Sequence, residues 1–353
     1  MRRTNGVARF LLSAGLMATM VGVAAPTATA AESEACAWTP ATLPLPAGAV
    51  TGAVSAADGS GGYAGTTTDG SNYGKDNHAV VWKNGKLTDY GYLVDPNYVK
   101  GVEIDAVNDA GTVVGIARRK DGYYNAVRSR NGKIERLPEP AGAYVSSAKG
   151  INEKGDVVGN VGMVVDNILR FHPVIWPADQ PGKVVALTGL PNASATAHGI
   201  DQDGTVLLAA ESGNVRAPYL WKDGTARALP LPDGAQNVVT RGISNGRVVA
   251  EVTTYSPSYA LRGVLWDRDG QPRVLPRNEG IRGINRNGQI LGRTDTSGTQ
   301  EYGVWQLTTL GSTLKQASDL GFDLAATSGD GSVAGRSWKI PDGRITPTVW
   351  NCR

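Results

Sequence analysis

Apolar residues in this chain either alternate with polar residues or form short runs of four or five. Gly, Pro, Asn or Asp interrupts each run, and the 353 residues include 46 Gly and 19 Pro. Short apolar runs bounded by such residues are typical of β-strands joined by tight turns. No stretch after residue 30 shows a helical period. The pattern therefore predicts an all-β protein.

The strand-like runs belong to one motif that recurs seven times. It reads Gly-Ile-Asn or Gly-Ile-Asp, a tight turn, Gly-x-Val-Val-Gly, and later a short apolar strand ending in Trp. Four clear copies open at Gly150, Gly199, Gly242 and Gly283, and one intermediate copy opens at Ala106. Two diverged copies open at Ala53-Val54-Ser55 and at Ala325-Ala326-Thr327. A period of roughly 40 to 50 residues indicates that each copy is one supersecondary unit of a larger array.

Each copy divides into four strand-like segments, a to d. In the copy from Thr196 to Pro232 they are a (Ala197 to Ile200), b (Thr205 to Ala210), c (Ala217 to Trp221) and d (Thr225 to Leu231). Asp-Gly pairs in the intervening turns favour tight hairpins. Four-stranded units of this length are typical of a β-propeller, whereas β-helix rungs are shorter and sandwiches need about 100 residues each. The sequence predicts a seven-bladed β-propeller.

Segment c ends in Trp in six copies and in Ser129 in the remaining one. The six residues are Trp82, Trp176, Trp221, Trp266, Trp305 and Trp350. A large aromatic side chain at one strand position in every unit predicts a wedge between neighbouring sheets. At the Ser129 interface we expect Tyr123 or Tyr124 to take this place.

The seventh copy stops after segment c, and the start of the chain supplies a match for the missing segment. Residues Thr42 to Ala49 resemble Ala228 to Ala235, which include the end of segment d in the fourth copy. We therefore expect the N-terminal strand to pair with the last strand and to complete the last blade. This places Cys36 next to Cys352, which predicts a disulfide, with free or intermolecular thiols as the alternative.

The first thirty residues have the pattern of a signal peptide. Arg2, Arg3 and Arg9 precede an apolar stretch, and small residues lead to a cleavage site near Ala30. We expect Sec-type export, one domain over residues 31–353, no membrane span and a secreted monomer. The leader holds three of the 35 basic residues, so 32 basic and 32 acidic residues remain. A neutral chain without basic clusters does not predict nucleic-acid binding.

The repeat resembles that of the bacterial HAF-repeat extracellular proteins, named for a His-Ala-Phe triplet. The triplet position reads His78-Ala79-Val80 in one copy and His172-Pro173-Val174, in weaker form, in another. The resemblance covers nearly all of the chain after the leader. It implies an extracellular repeat protein, and it implies no activity and no catalytic residues.

The residue types give no strong signal for catalysis, a metal or a cofactor. Ser244 lies in a Gly-x-Ser-x-Gly pattern, but no helix pattern and no His follow it, as a nucleophile elbow requires. Besides His78 and His172 there is only His198, which segment a directs toward the axial channel. Acidic turns lack the later ligands of a calcium loop. We therefore predict no catalytic residues, no metal and no cofactor.

The b–c loops differ most between copies, and loops on a rigid scaffold often bind ligands. Their aromatic residues suit stacking beside hydrogen-bonding groups. The candidate ligand-binding residues are Tyr73, Tyr123, Tyr124, Tyr255, Tyr259 and Trp338, together with His198. The predicted function is non-enzymatic binding of a glycan or an extracellular protein through this face. The alternatives are an extracellular hydrolase or lyase at the channel mouth and a structural component of a secreted assembly.

The enzyme alternative depends on charged residues that converge on segment a. Glu103, Asp105, His198 and Arg241 are the charged residues that the sequence places there, and they do not form a recognisable catalytic pair.

Overall fold

The computed structural model describes residues 36–70, 76–255, 258–295 and 301–352. These residues form 28 β-strands and contain no helix, which confirms the all-β prediction. The predicted leader lies outside the described residues. Across the described ranges, no helix has the length and apolar character that a membrane crossing requires.

The strands pair antiparallel in groups of four, which we call units 1 to 7. Units 1 to 3 are β2 (Thr51–Ala57), β3 (Tyr63–Thr68), β4 (Asn77–Lys83) and β5 (Lys86–Gly91); β6 (Tyr98–Val107), β7 (Val113–Arg119), β8 (Tyr124–Arg130) and β9 (Lys133–Arg136); β10 (Ala143–Ile151), β11 (Val157–Val165), β12 (Ile168–Trp176) and β13 (Val185–Ala186). One parallel bridge, between Asn77 and Gly101, joins units 1 and 2 into a single sheet.

The later units follow the same order, and the last one includes the first strand of the chain. Units 4 to 7 are β14 (Thr196–Ile200), β15 (Val206–Ser212), β16 (Val215–Lys222) and β17 (Thr225–Ala228); β18 (Asn237–Ser244), β19 (Arg247–Thr254), β20 (Ala260–Trp266) and β21 (Pro272–Val274); β22 (Gly280–Ile284), β23 (Gln289–Asp295), β24 (Glu301–Gln306) and β25 (Thr309–Lys315); β26 (Leu320–Thr327), β27 (Val333–Lys339) and β28 (Ile345–Cys352) with β1 (Trp38–Thr42).

The N-terminal strand β1 pairs with β28, as the sequence predicted. The register runs from Trp38 opposite Cys352 to Thr42 opposite Thr348. Cys36 and Cys352 form a disulfide with their Cα atoms 5.4 Å apart. The first strands of successive units contact one another, and β26 of unit 7 contacts β2 of unit 1.

Each first strand carries a β-bulge near its middle, where one residue is skipped in the pairing with the second strand. The seven skipped residues, which we call the bulge residues, are Ser55, Asp105, Lys149, His198, Arg241, Arg282 and Ala325. A bulge inserts one extra residue and re-aims its side chain. The same backbone device therefore presents one side chain per unit on the first strand.

The bulge also explains the last Gly of Gly-x-Val-Val-Gly. Gly115 pairs with Ile104, the residue before the bulge, and a Cβ at Gly115 would overlap the carbonyl oxygen of Glu103. The equivalent Gly159 and Gly335 face the same obstruction from the backbone of their own first strands. In these units the close approach of the two strands requires a residue without a side chain, whereas Leu208 and Ala250 occupy the equivalent positions in units 4 and 5.

The repeated Trp packs between units. Trp176, Trp266 and Trp305 are fully buried. The indole N–H of Trp266 donates a hydrogen bond to the backbone carbonyl of Pro230, which follows the last strand of the preceding unit, at 2.7 Å. The other bonds of this type join Trp82 to Pro44, Trp176 to Pro138, Trp221 to Thr188 and Trp305 to Pro276. The wedge predicted from the sequence is thus anchored by a hydrogen bond.

The unit with Ser129 is packed by other residues than we expected. The core between units 1 and 2 takes in Tyr98, with Tyr90 and Tyr92 packed against it. Tyr90 also donates a hydrogen bond to Gly111 O at 3.0 Å. Tyr123 and Tyr124 do not belong to this core, because they lie at the far end of β8 from Ser129.

The disulfide closes a loop whose ends are 316 residues apart. We expect the double variant C36S/C352S to lower the free energy of unfolding by up to about 5 kcal/mol, because the unfolded chain regains the entropy of the open loop. Guanidinium denaturation of both proteins, monitored by tryptophan fluorescence, measures the change. Equal midpoints would show that strand pairing alone holds the chain ends together.

Candidate functional site

The bulge residues line a cavity at the centre of the first strands. This central cavity has a volume of about 250 Å³ and is lined by residues from the first strands of all seven units. It extends from the bulge residues to the a–b turns that follow the first strands. The side chain at the bulge therefore determines the chemistry of the cavity wall.

Basic side chains occupy the bulge in four consecutive units. These are Lys149, His198, Arg241 and Arg282, while the other three units contribute Ala325, Ser55 and Asp105. Lys149 Nζ lies 3.1 Å from Asp105 Oδ1, the single acidic group among the bulge residues. The charge around the cavity is thus uneven, with a basic arc over units 3 to 6.

The two arginines of the arc reach outward to acids of the neighbouring strands. Arg241 Nη2 lies 2.6 Å from Glu251 Oε2. The other carboxylate oxygen of Glu251, Oε1, accepts a hydrogen bond from Ile281 N at 2.8 Å. Arg282 Nη2 is 3.5 Å from Asp323 Oδ1, a long contact. A guanidinium carries five donor hydrogens, so each arginine keeps donors that can face a ligand.

His198 is neutral near pH 7. Burial in the cavity wall, reinforced by the charges of Arg216, Lys149 and Arg241, lowers its pKa from 6.5 to about 4. Its Nε2 lies 3.0 Å from Thr196 Oγ1. His198 therefore adds a neutral hydrogen-bonding group to the basic arc.

Asp105 shows the same effect of the cavity on an acid. Burial raises the pKa of Asp105, although the charge and hydrogen bond of Lys149 oppose the rise. The side chains of Asp105 and Lys149 are each about one-third exposed, so solvent reaches the cavity wall at this position.

Arg286 covers the end of the central cavity at the a–b turns. It belongs to unit 6, yet its Nη2 lies 2.6 Å from Asp109 of unit 2 and 3.6 Å from Glu153 of unit 3. Its guanidinium also passes over Gly59 of unit 1, where a Cβ would overlap it. One side chain thus joins four units across this end.

The acids under Arg286 respond in opposite ways. Burial raises the pKa of Asp109, but the hydrogen bond and charge of Arg286 outweigh it, so the pKa lies below its usual value. Burial also raises the pKa of Glu153, and there the opposing interactions are too weak to reverse the shift. The shorter contact, to Asp109, is therefore the stronger ion pair.

Hydrogen bonds join every a–b turn to the next one. We call this series the turn circlet. Its bonds run from Gly59 N to Asp109 Oδ1 (2.9 Å), Asp109 N to Glu153 Oε2 (2.8 Å), Glu153 N to Gln202 Oε1 (2.8 Å), Asn245 N to Asp201 Oδ1 (2.9 Å), Asn245 Nδ2 to Arg286 O (3.1 Å), Asn287 Nδ2 to Gly329 O (2.6 Å) and Ser328 Oγ to Asp58 O (2.9 Å). The series returns to the turn where it starts.

The aromatic residues predicted for ligand binding do not form one site. Tyr123 packs against Tyr144 at 4.4 Å, and Tyr255 packs against Tyr259 at 5.8 Å. Trp338 is half-buried over Gly321, where a Cβ would overlap its indole. Among the described residues, no ring contact joins these three groups. Tyr124 is half-buried at the start of β8, and Tyr73 lies outside the described residues.

Three bulge residues, Asp105, His198 and Arg241, are among the charged residues that were predicted for segment a. Lys149 and Arg282 were missed. The signal was present, because each of the missed residues directly precedes a Gly-Ile-Asn triplet.

The register of the two diverged copies was also wrong. The turn that follows Ile200 begins at Asp201, whose N–H donates to Thr205 O. The equivalent bonds begin at Asp58 in unit 1 and at Ser328 in unit 7. The triplets are therefore Ala56-Ala57-Asp58 and Ala326-Thr327-Ser328, shifted by three residues and by one from the predicted positions.

The remaining His residues lie away from the central cavity. His78 Nδ1 is 3.0 Å from Asp89 Oδ2, and its ring contacts Tyr92. His172 is half-buried on β12, opposite Val161. Within the described ranges, no group of three His, Cys, Asp or Glu side chains is arranged to hold a metal ion.

Neither a protein-family model nor a curated protein matches this chain. Solved structures do. A structure from an analysis of two prolyl endopeptidases has a TM-score of 0.57 at 12% identity, over 82% of this chain and 46% of that one. The β-propeller domain of the Trilobed protease from Pyrococcus furiosus has a TM-score of 0.51 at 10% identity, over 86% and 94%. Prolyl oligopeptidase B from Galerina marginata has 0.53 at 10%, over 85% and 52%.

These similarities show the fold, which is that of a β-propeller. The chain spans about half the length of the two prolyl peptidase chains it matches. Identities of this size transfer no function. The HAF-repeat resemblance stays a prediction.

The comparisons contradict the function predicted from the sequence. Propellers of similar fold include domains of a protease and of prolyl peptidases, and none supports a non-enzymatic glycan- or protein-binding protein. The physical reason lies in the dispersed aromatic residues, which form separate pairs, Tyr123 with Tyr144 on β10 and Tyr255 with Tyr259, and do not converge on one site. That prediction was wrong.

The low pKa of His198 predicts a pH dependence of stability. Between about 6.5 and 4 the unfolded chain binds a proton at His198 that the folded protein does not bind. We therefore expect the free energy of unfolding to fall as the pH falls through this range. The variant H198N should lose this part of the slope, as urea denaturation at a series of pH values would measure. Parallel slopes for the two proteins would contradict the assignment.

The passage of Arg286 over Gly59 can be tested with a double-mutant cycle. We expect G59A to lower the free energy of unfolding by about 1 to 3 kcal/mol, because the new methyl group displaces the guanidinium from Asp109. In the R286A background the same substitution should cost much less. Thermal or chemical denaturation of the four proteins gives the coupling, and additive effects would contradict the contact.

Proposed function

We propose that this protein is a closed, seven-bladed β-propeller whose central cavity binds a small organic carboxylate. In this proposal units 1 to 7 are the blades, and β1 completes the last blade. The observation that carries the ligand class is the basic arc on four consecutive first strands. The proposal also places the protein outside the cell, which the disulfide and the signal-like leader support.

Three observations support a closed ring. The turn circlet returns to unit 1 after seven hydrogen bonds. The central cavity takes its wall from all seven first strands. Strand β26 contacts both β22 and β2, so unit 7 lies between units 6 and 1. Ring closure leaves no blade with an uncovered face.

The charge of the arc supports an anionic ligand. Lys149, Arg241 and Arg282 contribute three positive charges, Asp105 contributes the one negative charge at the level of the bulges, and Glu251 pairs with Arg241 from the neighbouring strand. Arginine donors suit the planar, two-oxygen geometry of a carboxylate. Neutral His198 can add a hydrogen bond without a further charge.

The size and the covered end of the cavity support a small ligand. About 250 Å³ lies below the usual volume of sites for drug-sized molecules. Arg286 and the turn circlet narrow the end at the a–b turns. We therefore propose that the ligand approaches from the opposite end, where the b–c connections lie.

The experiment is calorimetric titration of the purified protein with propionate at low ionic strength. We expect saturable binding that R241Q weakens by about tenfold, because a charged hydrogen bond to the ligand is lost. The matched control is R273Q, which removes an equivalent ion pair with Asp269 on an exposed hairpin. Circular dichroism would check that both variants fold. Absence of binding to the wild-type protein would reject the carboxylate assignment.

A further inference from the structure

A second group of arginines surrounds one carboxylate beside the central cavity. Asp323 on β26 lies 3.5 Å from Arg282, 3.8 Å from Arg293 and 3.4 Å from Arg336. None of these three contacts has the short distance of a strong ion pair. We call these four residues the arginine cluster.

The positive charge of the arginine cluster exceeds what Asp323 can neutralise. The basic arc and the cluster together hold five positive side chains, and Asp105, Glu251 and Asp323 offset three of them, so two positive charges remain for both groups together. Glu251, an acid near Arg293 on the side of Gly280, already pairs with Arg241 and accepts a hydrogen bond from Ile281 N. Tyr302 donates its hydroxyl hydrogen to Asp323 and so occupies one more of its acceptor sites.

Arg293 holds a buried donor without a partner. Its Nε is buried and makes no hydrogen bond to any described residue. The guanidinium carbon lies over the Tyr302 ring, 5.6 Å from its centre. A buried donor without an acceptor is costly, and a bound anion beside the guanidinium would offset that cost by attraction to its charge.

The arginine cluster is continuous with the central cavity through one residue. Arg282 is both a bulge residue that lines the cavity and a member of the cluster. Its neighbours Arg293 and Arg336 are about one-third and one-half exposed, so solvent reaches the cluster. Asp323, Arg293 and Arg336 do not line the central cavity, so a ligand that reaches both groups has to pass along the Arg282 side chain.

We propose that the arginine cluster is a second anionic subsite and that the ligand of the central cavity is a dicarboxylate. One carboxylate lies at the basic arc and the other lies between Arg293 and Arg336. This inference rests on the proposed function and adds the second charged group of the ligand. A single free oxyanion such as sulfate shares the same chemistry at the cluster, so the experiment includes it.

The experiment compares succinate, propionate and sulfate by calorimetric titration of the wild-type protein, R336Q and R293Q. We expect the wild-type protein to bind succinate about tenfold more tightly than propionate. R336Q and R293Q should abolish this preference and leave the affinity for propionate unchanged. Arg336 is exposed and cross-strand to Asp323, so R336Q disturbs the fold least.

The outcomes separate this inference from the proposed function. Propionate binding with an unchanged succinate preference in R336Q and R293Q would overturn the second subsite alone. Absence of binding by both carboxylates would overturn the proposed function and the subsite together. Sulfate binding that R336Q weakens, without any succinate preference in the wild-type protein, would replace the dicarboxylate by a single oxyanion. The control R273Q should match the wild-type protein throughout.

Discussion

The β-bulge on the first strand of each unit is the constraint on which the rest of this structure depends. It adds one residue to the first strand that has no pairing partner on the second strand. The side chain of that residue is directed into the central cavity. It also brings the first and second strands so close that Gly115, Gly159 and Gly335 cannot bear a Cβ. The last Gly of Gly-x-Val-Val-Gly answers this close approach in several units, although Leu208 and Ala250 take its place beside the bulges of units 4 and 5, and the residue at the bulge varies. Structure and chemistry occupy separate positions within one repeat.

The a–b turns link the units at the end of the cavity. Short polar side chains hold neighbouring units together there, as the Trp wedges do between the sheets. A Trp between two sheets excludes water from their interface and donates its one N–H to the preceding unit. The turns cannot accommodate such a wedge near the axis, because the space narrows there. Asp109, Glu153 and Asp201 instead accept backbone N–H groups from adjacent turns. The outer interface depends on burial, and the inner one depends on hydrogen bonds between neighbouring turns.

Much of the fold could be predicted from the sequence because its signals are local and repeated. Asp-Gly turns, the Trp position and the match between residues 42–49 and 228–235 each report a short-range preference, and together they gave the strands and the β1–β28 pairing. The predicted positions of the triplet were wrong in the two diverged copies, those placed at Ala53 and Ala325. Residues other than Gly-Ile-Asn occupy the triplet there, so the motif gave no fixed reference point. The contacts of Arg286 with units 1 to 3 could not be predicted, since no periodic pattern reports which turns of distant units lie close together. The tyrosines misled for the opposite reason. Their number suggested a binding face, but the rings form separate pairs that do not come together.

The separation of scaffold and bulge explains why a likeness in fold says so little about this protein. Backbone geometry sets where seven side chains meet, and it is indifferent to whether they are Ser55 and Ala325 or Lys149 and Arg282. A propeller that shares about one residue in ten with this chain can keep every wedge and turn and still present a different cavity. The charges at the bulges are therefore the part of the sequence that can specify a ligand. Their clustering on units 3 to 6, beside a carboxylate outnumbered by arginines, is not needed for closing a ring, since Ser55 and Ala325 serve the same backbone positions without charge. A chain that only had to fold would gain nothing from gathering like charges at its axis, where they repel one another.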